Sequence, residues 1–358
     1  MLNPETLLAE LVATPSFSGK EQTLASLLTT HLTAAGLVVQ KVEGNLVVDI
    51  VGQSGPILLF ASHMDTVKAG PSWQTNPFAA VWQNERLVGL GANDAKASLV
   101  AMCCAAVAMA EKSFCGTLRV ALVVEEETSN LGMQQVLAAT SLPDMAVIGE
   151  PTALEVVRAQ AGLGVLRARW LGRSCHAAHA AHVPHDNALL RACTEIAALP
   201  SCYVFADRHP LLGPTTLVPA VLQSGDRHNR VPDLAVATFD VRLTPPDTAF
   251  DLAAWLQGKL PSATVEISSD RLRAIETAAD QPLVVAALVA AGRVAAIASN
   301  TMSDMALLQG IPAIKCGPGE TSRSHTPDEF ITRAELHAGV SFYTKLATSM
   351  LTCAEVLV

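Results

Sequence analysis

"LLFASHMDTV", residues 58–67, runs five apolar or small residues into a histidine and an aspartate two positions apart, His63 and Asp65. A strand of that composition is buried, and imidazole and carboxylate groups at its end are costly to bury unless something pairs with them. Side chains two apart on a strand share a face. Asp65 is therefore placed to orient His63, fixing the tautomer and leaving one ring nitrogen free as a ligand. Taken alone, a histidine at a strand end is commonly a hydrogen-bonded structural residue, so the reading turns on what else reaches the same sheet edge.

The surrounding chain repeats the pattern. Asn3-Pro4-Glu5 opens a helix with a cap and a proline in its first turn, and residues 21–35 form a second helix stopped by Gly36. Apolar runs follow at 46–51, 57–61, 118–124 and 145–148, with a helical stretch at 97–110 between the second and third. Short β-rich runs alternating with helices predict an α/β fold: a largely parallel sheet covered by helices on both faces, with chemistry at the carboxyl ends of the strands. From about Gly162 the texture changes. Residues 165–170 alternate apolar positions with Arg167 and Arg169, 187–198 and 250–260 read as helices, and 235–243 as a strand. The α/β pattern returns with a helix near 283–291, a strand at 311–315 and a closing helix from about Arg333. A discontinuous main domain, 1–161 and 273–358, is expected around an inserted smaller α+β domain, 162–272.

Composition narrows the function. At 358 residues the chain exceeds what one growing core usually holds. A net charge of -9, with no Lys/Arg-rich stretch interleaved with aromatics, argues against nucleic acid. The longest apolar run, 97–110, is too short to span a bilayer. The opening MLNPETLLAE carries Glu5 and Glu10 and no basic segment, so no secretory signal is read and a cytoplasmic location is expected. Eight cysteines without a CxxC pair read as reduced, mostly core residues, with no disulfide expected.

Four further segments place charged groups at predicted strand ends or loops. "GLGANDAKA" (89–97) resembles a phosphate-binding turn, but Asp94 stands where the third glycine of a dinucleotide site belongs, and a carboxylate there repels pyrophosphate. Asp94 either caps the following helix or binds a cation. "VALVVEEETSNLG" (120–132) delivers Glu125, Glu126 and Glu127 from a very apolar strand, where their mutual repulsion is tolerable only with cations nearby. Glu150 in "AVIGEPT" follows another apolar run, and His325 lies in the Gly/Pro-rich "GPGETSRSHTPDEF" (317–330). Imidazoles with carboxylates are the ligand set of zinc or a similar divalent ion, and a shared carboxylate lets two ions act on one water.

In order, the motifs HMD (63–65), GAND-K (91–96), EEET (125–128), GEPT (149–152), GRSCH (172–176) and HTPDEF (325–330) resemble the M20 metallopeptidase and deacylase family. The nearest branch holds acetylornithine deacetylase, succinyl-diaminopimelate desuccinylase and related acetyl-lysine and acetylcitrulline deacetylases. The resemblance implies a zinc-peptidase-like α/β fold, a mainly parallel sheet flanked by helices, whose inserted 162–272 domain serves as lid and homodimer contact. It implies two divalent ions, zinc or alternatively cobalt. His63 and Glu150 would be terminal ligands of one, Glu127 and His325 of the other, with Asp94 bridging. Asp65 would orient His63, and Glu126 would be the general base. The three-glutamate run leaves a one-residue ambiguity, and Thr128 aligns best with Glu126 and Glu127 as the working pair.

His176 would reach the active site of the neighbouring subunit; His179, His182 and His185 crowd it, and the four could alternatively form an adventitious metal-binding loop. Asn229 and Arg242 would hold the substrate's carboxylate and nearby polar atoms, although by themselves they read as a turn residue and a strand-face charge. Gly317 would bring backbone close to substrate. Departures from the family pattern are Ala97, where glycine is usual, and "HDNA" (185–188) in place of a glycine before Asn-Ala.

The implied activity is hydrolysis of the amide of a small-molecule N-acyl amino acid, with N-acetylornithine deacetylation in arginine biosynthesis as the leading expectation. Alternatives are an M20-type dipeptidase or carboxypeptidase, a succinyl-diaminopimelate desuccinylase, and a non-catalytic metal-dependent binding protein. Retention of Glu126 argues against the last.

Overall fold

In the computed structural model, which describes residues 2–206 and 209–353, the opening stretch ends an 11-residue strand, Gln53–His63, whose last six residues are buried. It lies near the middle of a nine-stranded sheet. Cys115–Val123 and Met145–Ile148 flank it in parallel, and Ala313–Lys315 continues the parallel set beyond Met145–Ile148. The outer strands depart from the parallel expectation. Asn45–Val51 runs antiparallel to Cys115–Val123, and Gln40–Val42 pairs antiparallel with it in turn. One residue, Gly52, separates Asn45–Val51 from Gln53–His63, far less than a parallel crossover needs. The chain reverses there around the start of Cys115–Val123, and a side chain at Gly52 would meet the Phe114 carbonyl. On the other side, Val157–Gln160 is antiparallel to Ala313–Lys315.

The register brings the parallel strands' carboxyl ends together: His63 lies opposite Val123, and Ile148 opposite both Ala61 and Lys315. Helix Lys96–Ala110 is buried on nearly every side, packing against that sheet and against the closing helix Arg333–Met350. Each fully buried Leu, Val or Met in it contributes about 1.5–3 kcal/mol. Local signals set the helix starts. The Asn3 side chain accepts from the Glu5 and Thr6 amides ahead of Pro4–Ala13, and Thr332 with Glu335 forms a capping box for Arg333–Met350. The sequence pattern gave no sign of helix Leu131–Ala139 or of a three-stranded sheet of Trp82–Gln83, Arg86–Val88 and Phe330–Thr332.

The chain folds into two compact units. The first comprises the chain up to Arg158, Glu276–Ile297 and the chain from Ser303; the second comprises Ala159–Ile275 and Ala298–Met302. The second unit is an antiparallel sheet in the order Tyr203–Val204, Thr216–Ser224, Leu234–Leu243, Gly162–Leu171, Thr264–Leu272. Along Gly162–Leu171 burial alternates, sending Leu166, Ala168 and Trp170 inward while Arg167 and Arg169 stay exposed. Helices Ala188–Ala197 and Ala249–Lys259 contribute Ala188, Ala192, Leu252 and Leu256 to the same core.

The cysteine expectation is corrected. Cys115 and Cys353 form a disulfide across a sequence separation of 238, and Cys193 and Cys202 are exposed rather than core. The pairing exists because the chain beyond the last helix returns to the start of a central strand, where the Cys115 amide donates to the Leu351 carbonyl. Spacing alone carries no trace of that return. Among the described residues no helix is long and apolar enough to cross a membrane.

Candidate metal centre

His63 is 2% exposed. Its Nδ1 lies 2.9 Å from the Asp65 carbonyl oxygen and 3.5 Å from Asp65 Oδ1. A proton on Nδ1 donated to that carbonyl leaves Nε2 as the free lone pair, 3.3 Å from Asp94 Oδ1. Asp65 does more than orient the ring. Its carboxylate accepts from Ser18 Oγ at 2.7 Å and from the backbone amides of Glu126 and Glu127 at 3.1 Å each. The aspartate of the HMD motif thus clamps the turn that carries the glutamates.

The glutamate run divides by direction. Glu125, at φ 54°, accepts from Ser129 Oγ at 2.9 Å, while Glu126 and Glu127 enter the centre. Glu127 Oε1 lies 3.0 Å from His325 Nε2, which is also 3.7 Å from Asp94 Oδ2. Two sets of donor atoms each lie within 4.8 Å of one another: His63, Asp94, Glu127 and His63, Glu126, Glu150. Distance alone leaves Glu126 and Glu150 equivalent as neighbours of His63. Glu126 differs in accepting a hydrogen bond from Asn130 Nδ2 at 3.4 Å.

Several supporting residues were not legible as such. Asn93, next to Asp94, exchanges two hydrogen bonds with the Glu320 backbone at 2.9 and 3.1 Å, tying the Asp94 loop to the His325 loop. Gly319 packs against that Asn93 amide at φ 85°, so a side chain there would be both strained and obstructed. Lys96 is fully buried, donating from Nζ to the Leu11 and Thr14 carbonyls at the end of helix Pro4–Ala13. Buried Glu329 accepts from the Gly91 amide. Gly317 is buried, and a side chain on it would meet Ser98 and the Glu150 carbonyl, so close packing requires glycine there.

The electrostatics are those of crowded acids. Burial, then the neighbouring Glu150 charge, pushes the Glu126 carboxyl well above its usual range. Burial, then Asp94, raises Glu150 to about 8. Burial opposes charge on His63, but hydrogen bonds to Asp65 and Asp94 outweigh it and raise the imidazole well above normal. The Glu127 hydrogen bond raises His325 to about 9. Burial lowers the Lys315 ammonium, which faces Glu150, Glu126 and Asp94. Acids that hold protons against their nature and imidazoles that bind protons too tightly mark a place short of positive charge. Two nitrogens and four carboxylates converging there fit divalent cations in donor type.

The remaining site residues lie in the second unit. His176 is exposed; its Nδ1 accepts from the Ala178 amide at 3.1 Å, and it forms an isolated β-bridge to Arg230. Asn229, also exposed, is its neighbour, with its carbonyl accepting from the Ala177 amide. Arg242 is held by Asp240 through Nε at 2.9 Å and a second guanidinium nitrogen at 3.1 Å. His179, His182 and His185 do not join a cluster of three donor groups among the described residues. In the first unit, a cavity of about 220 Å³ adjoins His325, lined also by Lys68, Ser72, Trp73, Leu90 and Pro327.

A mixed sheet whose strand ends gather acids and imidazoles, with a separate antiparallel unit inserted, is the arrangement found in a family of metal-dependent hydrolases of amide bonds. Residues 59–349 match the model of peptidase family M20/M25/M40, and the chain belongs to that family. It is 25% identical to acetylornithine deacetylase of Pasteurella multocida over 342 residues, covering 89% of this chain and 88% of that one. It is 29% identical to succinyl-diaminopimelate desuccinylase of Granulibacter bethesdensis over 293 residues, 75% and 74% of the two chains. Among solved structures, an M20 family metallo-carboxypeptidase from Sulfolobus solfataricus superposes with a TM-score of 0.79 at 17% identity, covering 98% of this chain and all of that one. A Bacillus subtilis protein described as a dinuclear metal binding peptidase of the M20 family superposes with a TM-score of 0.74, also at 17% identity, covering 97% of each chain. At such identities these structures speak for the fold alone.

Proposed function

We propose that the chain is a two-metal deacylase of N-acyl amino acids, with N-acetylornithine the leading substrate. His63 and Glu150 would hold one ion, Glu127 and His325 the other, and Asp94 both, with zinc the leading metal and cobalt the alternative. When bound, such ions polarise the scissile carbonyl and acidify the attacking water. Glu126 would take the water's proton and return it to the leaving amine. His176 stabilises oxyanion charge in the site of a partner subunit in a homodimer formed through the second unit. Asn229 and Arg242 would hold the substrate's carboxylate and neighbouring polar atoms, Arg242 having guanidinium N–H groups left over from its pair with Asp240. Arginine biosynthesis in the cytoplasm is the setting this reading carries.

The observation that supports it most is the convergence of His63, Asp94, Glu126, Glu127, Glu150 and His325 from five separate segments. A second reading, desuccinylation, is favoured by the cavity beside His325. Lys68 lines it and repels an ammonium there while welcoming an acyl chain that ends in a carboxylate. The test is amine release by the zinc- and cobalt-loaded protein from N-acetylornithine, N-acetyl-lysine, N-acetylcitrulline, N-succinyl-diaminopimelate and dipeptides. The highest kcat/KM is expected on N-acetylornithine, abolished by a chelator. Fastest turnover of succinyl-diaminopimelate establishes the second reading, and fastest turnover of a dipeptide, or activity in the absence of metal, overturns both.

A further inference from the structure

We propose that Asn130 is a positioning residue for Glu126, held in turn by Asp304. Asn130 is 4% exposed and precedes helix Leu131–Ala139 in the left-handed conformation, at φ 53°. An asparagine at that position ordinarily caps the helix with its side chain, but here the side chain makes no capping hydrogen bond. It turns inward instead. Its Nδ2 lies 3.0 Å from Asp304 Oδ1 and 3.4 Å from Glu126 Oε1. Asp304 is 2% exposed and begins the short turn Asp304–Leu307.

One amide nitrogen carries two hydrogens, which matches two buried carboxylates on either side of it. The arrangement is polar in one direction: Asp304 accepts from the amide and orients it, and the amide's second hydrogen goes to Glu126. Two carboxylates that would otherwise repel are joined by a neutral donor. With Oε1 held by the amide, the proton transfers fall to Oε2, and the Glu126 carboxylate keeps one rotation through both of them. A left-handed backbone alone would be served as well by glycine; the amide is what the position adds.

The inference rests on Glu126 being the base, and the variants keep the two claims apart. Asn130→Gly preserves the left-handed backbone and removes only the amide. It is expected to lower kcat about tenfold or more, as loss of a hydrogen bond to a charged acceptor does, with KM within twofold and bound metal unchanged. The double exchange Asn130→Asp with Asp304→Asn restores a hydrogen bond between the two positions and the net charge, but places no N–H against Glu126. Tm is expected to recover in the exchange, while kcat stays well below that of Asp304→Asn alone. If the exchange is as active as Asp304→Asn alone, the Asn130–Asp304 pair is only a tether and the proposal fails. It also fails if Asn130→Gly keeps kcat within twofold of the parent. Should Glu126→Gln retain activity, the base assignment itself falls, and this inference with it. If Glu126→Gln is inactive and Asn130→Gly is not, only this inference falls.

Discussion

Histidines stand out in two parts of this molecule, and the two share little else. In the first unit, His63 and His325 each face carboxylates at 3.0–3.7 Å, and one of them is buried almost completely. In the second, His176, His179 and His182 are exposed on a turn, His185 bonds the Val183 carbonyl, and among the described residues none of them joins a cluster of three donor groups. Four histidines within ten residues are the denser signal in one dimension. Placement at the carboxyl ends of parallel strands is the stronger one, because the sheet brings distant ends together whereas a turn spreads its side chains into water.

The largest effect expected from this contrast is at Asp94, the proposed bridging residue. Asp94→Ala should remove bound metal and lower kcat at least a thousandfold, read by elemental analysis and amine release; full metal content in this variant would break the contrast. Glu126→Gln should cost about 10²–10⁴ in kcat, the usual worth of a general base, while leaving metal content intact. Simultaneous His179→Ala, His182→Ala and His185→Ala should leave metal content unchanged and activity within twofold. Loss of a metal ion in that triple variant would show that the exposed turn binds one after all.

The acid cluster also predicts a pH dependence for the metal-free protein. Burial raises Glu150 and Glu329 to about 8 from 4.5, and the Glu127 hydrogen bond raises His325 to about 9 from 6.5. Each folded value lies above the unfolded one. Each group therefore contributes stability that is complete below its unfolded pKa and is lost as pH rises through its folded pKa. Burial lowers the Lys96 ammonium to about 7 from 10.5, so its contribution runs the other way and grows as pH rises above about 7. Tm of the chelator-treated protein should therefore fall between about pH 5 and 7, where the raised groups act unopposed, and bound metal should flatten that slope. A rising Tm across this window would contradict the picture. The smallest effect belongs to the far edge of the sheet. Cys115 opens the strand whose other end leads to the glutamates, so Cys353→Ser should lower Tm and leave kcat and metal content unchanged.

Much of this was legible in the residues, for identifiable reasons. The strands at 57–61, 118–124 and 145–148 announced themselves because burial on both faces leaves predominantly apolar runs, broken only by Arg119, which pairs with Asp49, and each ends in a group that demands a partner. The candidate ligands could be singled out because their side chains are chemically specific and their motifs stand in the order of a known family. The supporting contacts could not. That Asp65 would bind the Glu126 and Glu127 amides, or that Lys96 would reach the Leu11 and Thr14 carbonyls, depends on backbone groups every residue possesses. Strand Thr264–Leu272 escaped notice because it is exposed along much of its length and carries no apolar run, and Thr216–Ser224 because Pro219 interrupts its apolar residues and its second half is mostly exposed. The Cys115–Cys353 disulfide was missed because only the returning chain brings the two together.

Anomalous X-ray diffraction at the zinc edge, on crystals of the zinc-loaded protein, tests the central claim most directly. Two peaks are expected per chain, both within bonding distance of Asp94, one also bound by His63 and Glu150 and the other by Glu127 and His325. A single peak, or peaks at the 176–185 turn with none beside Asp94, would contradict it.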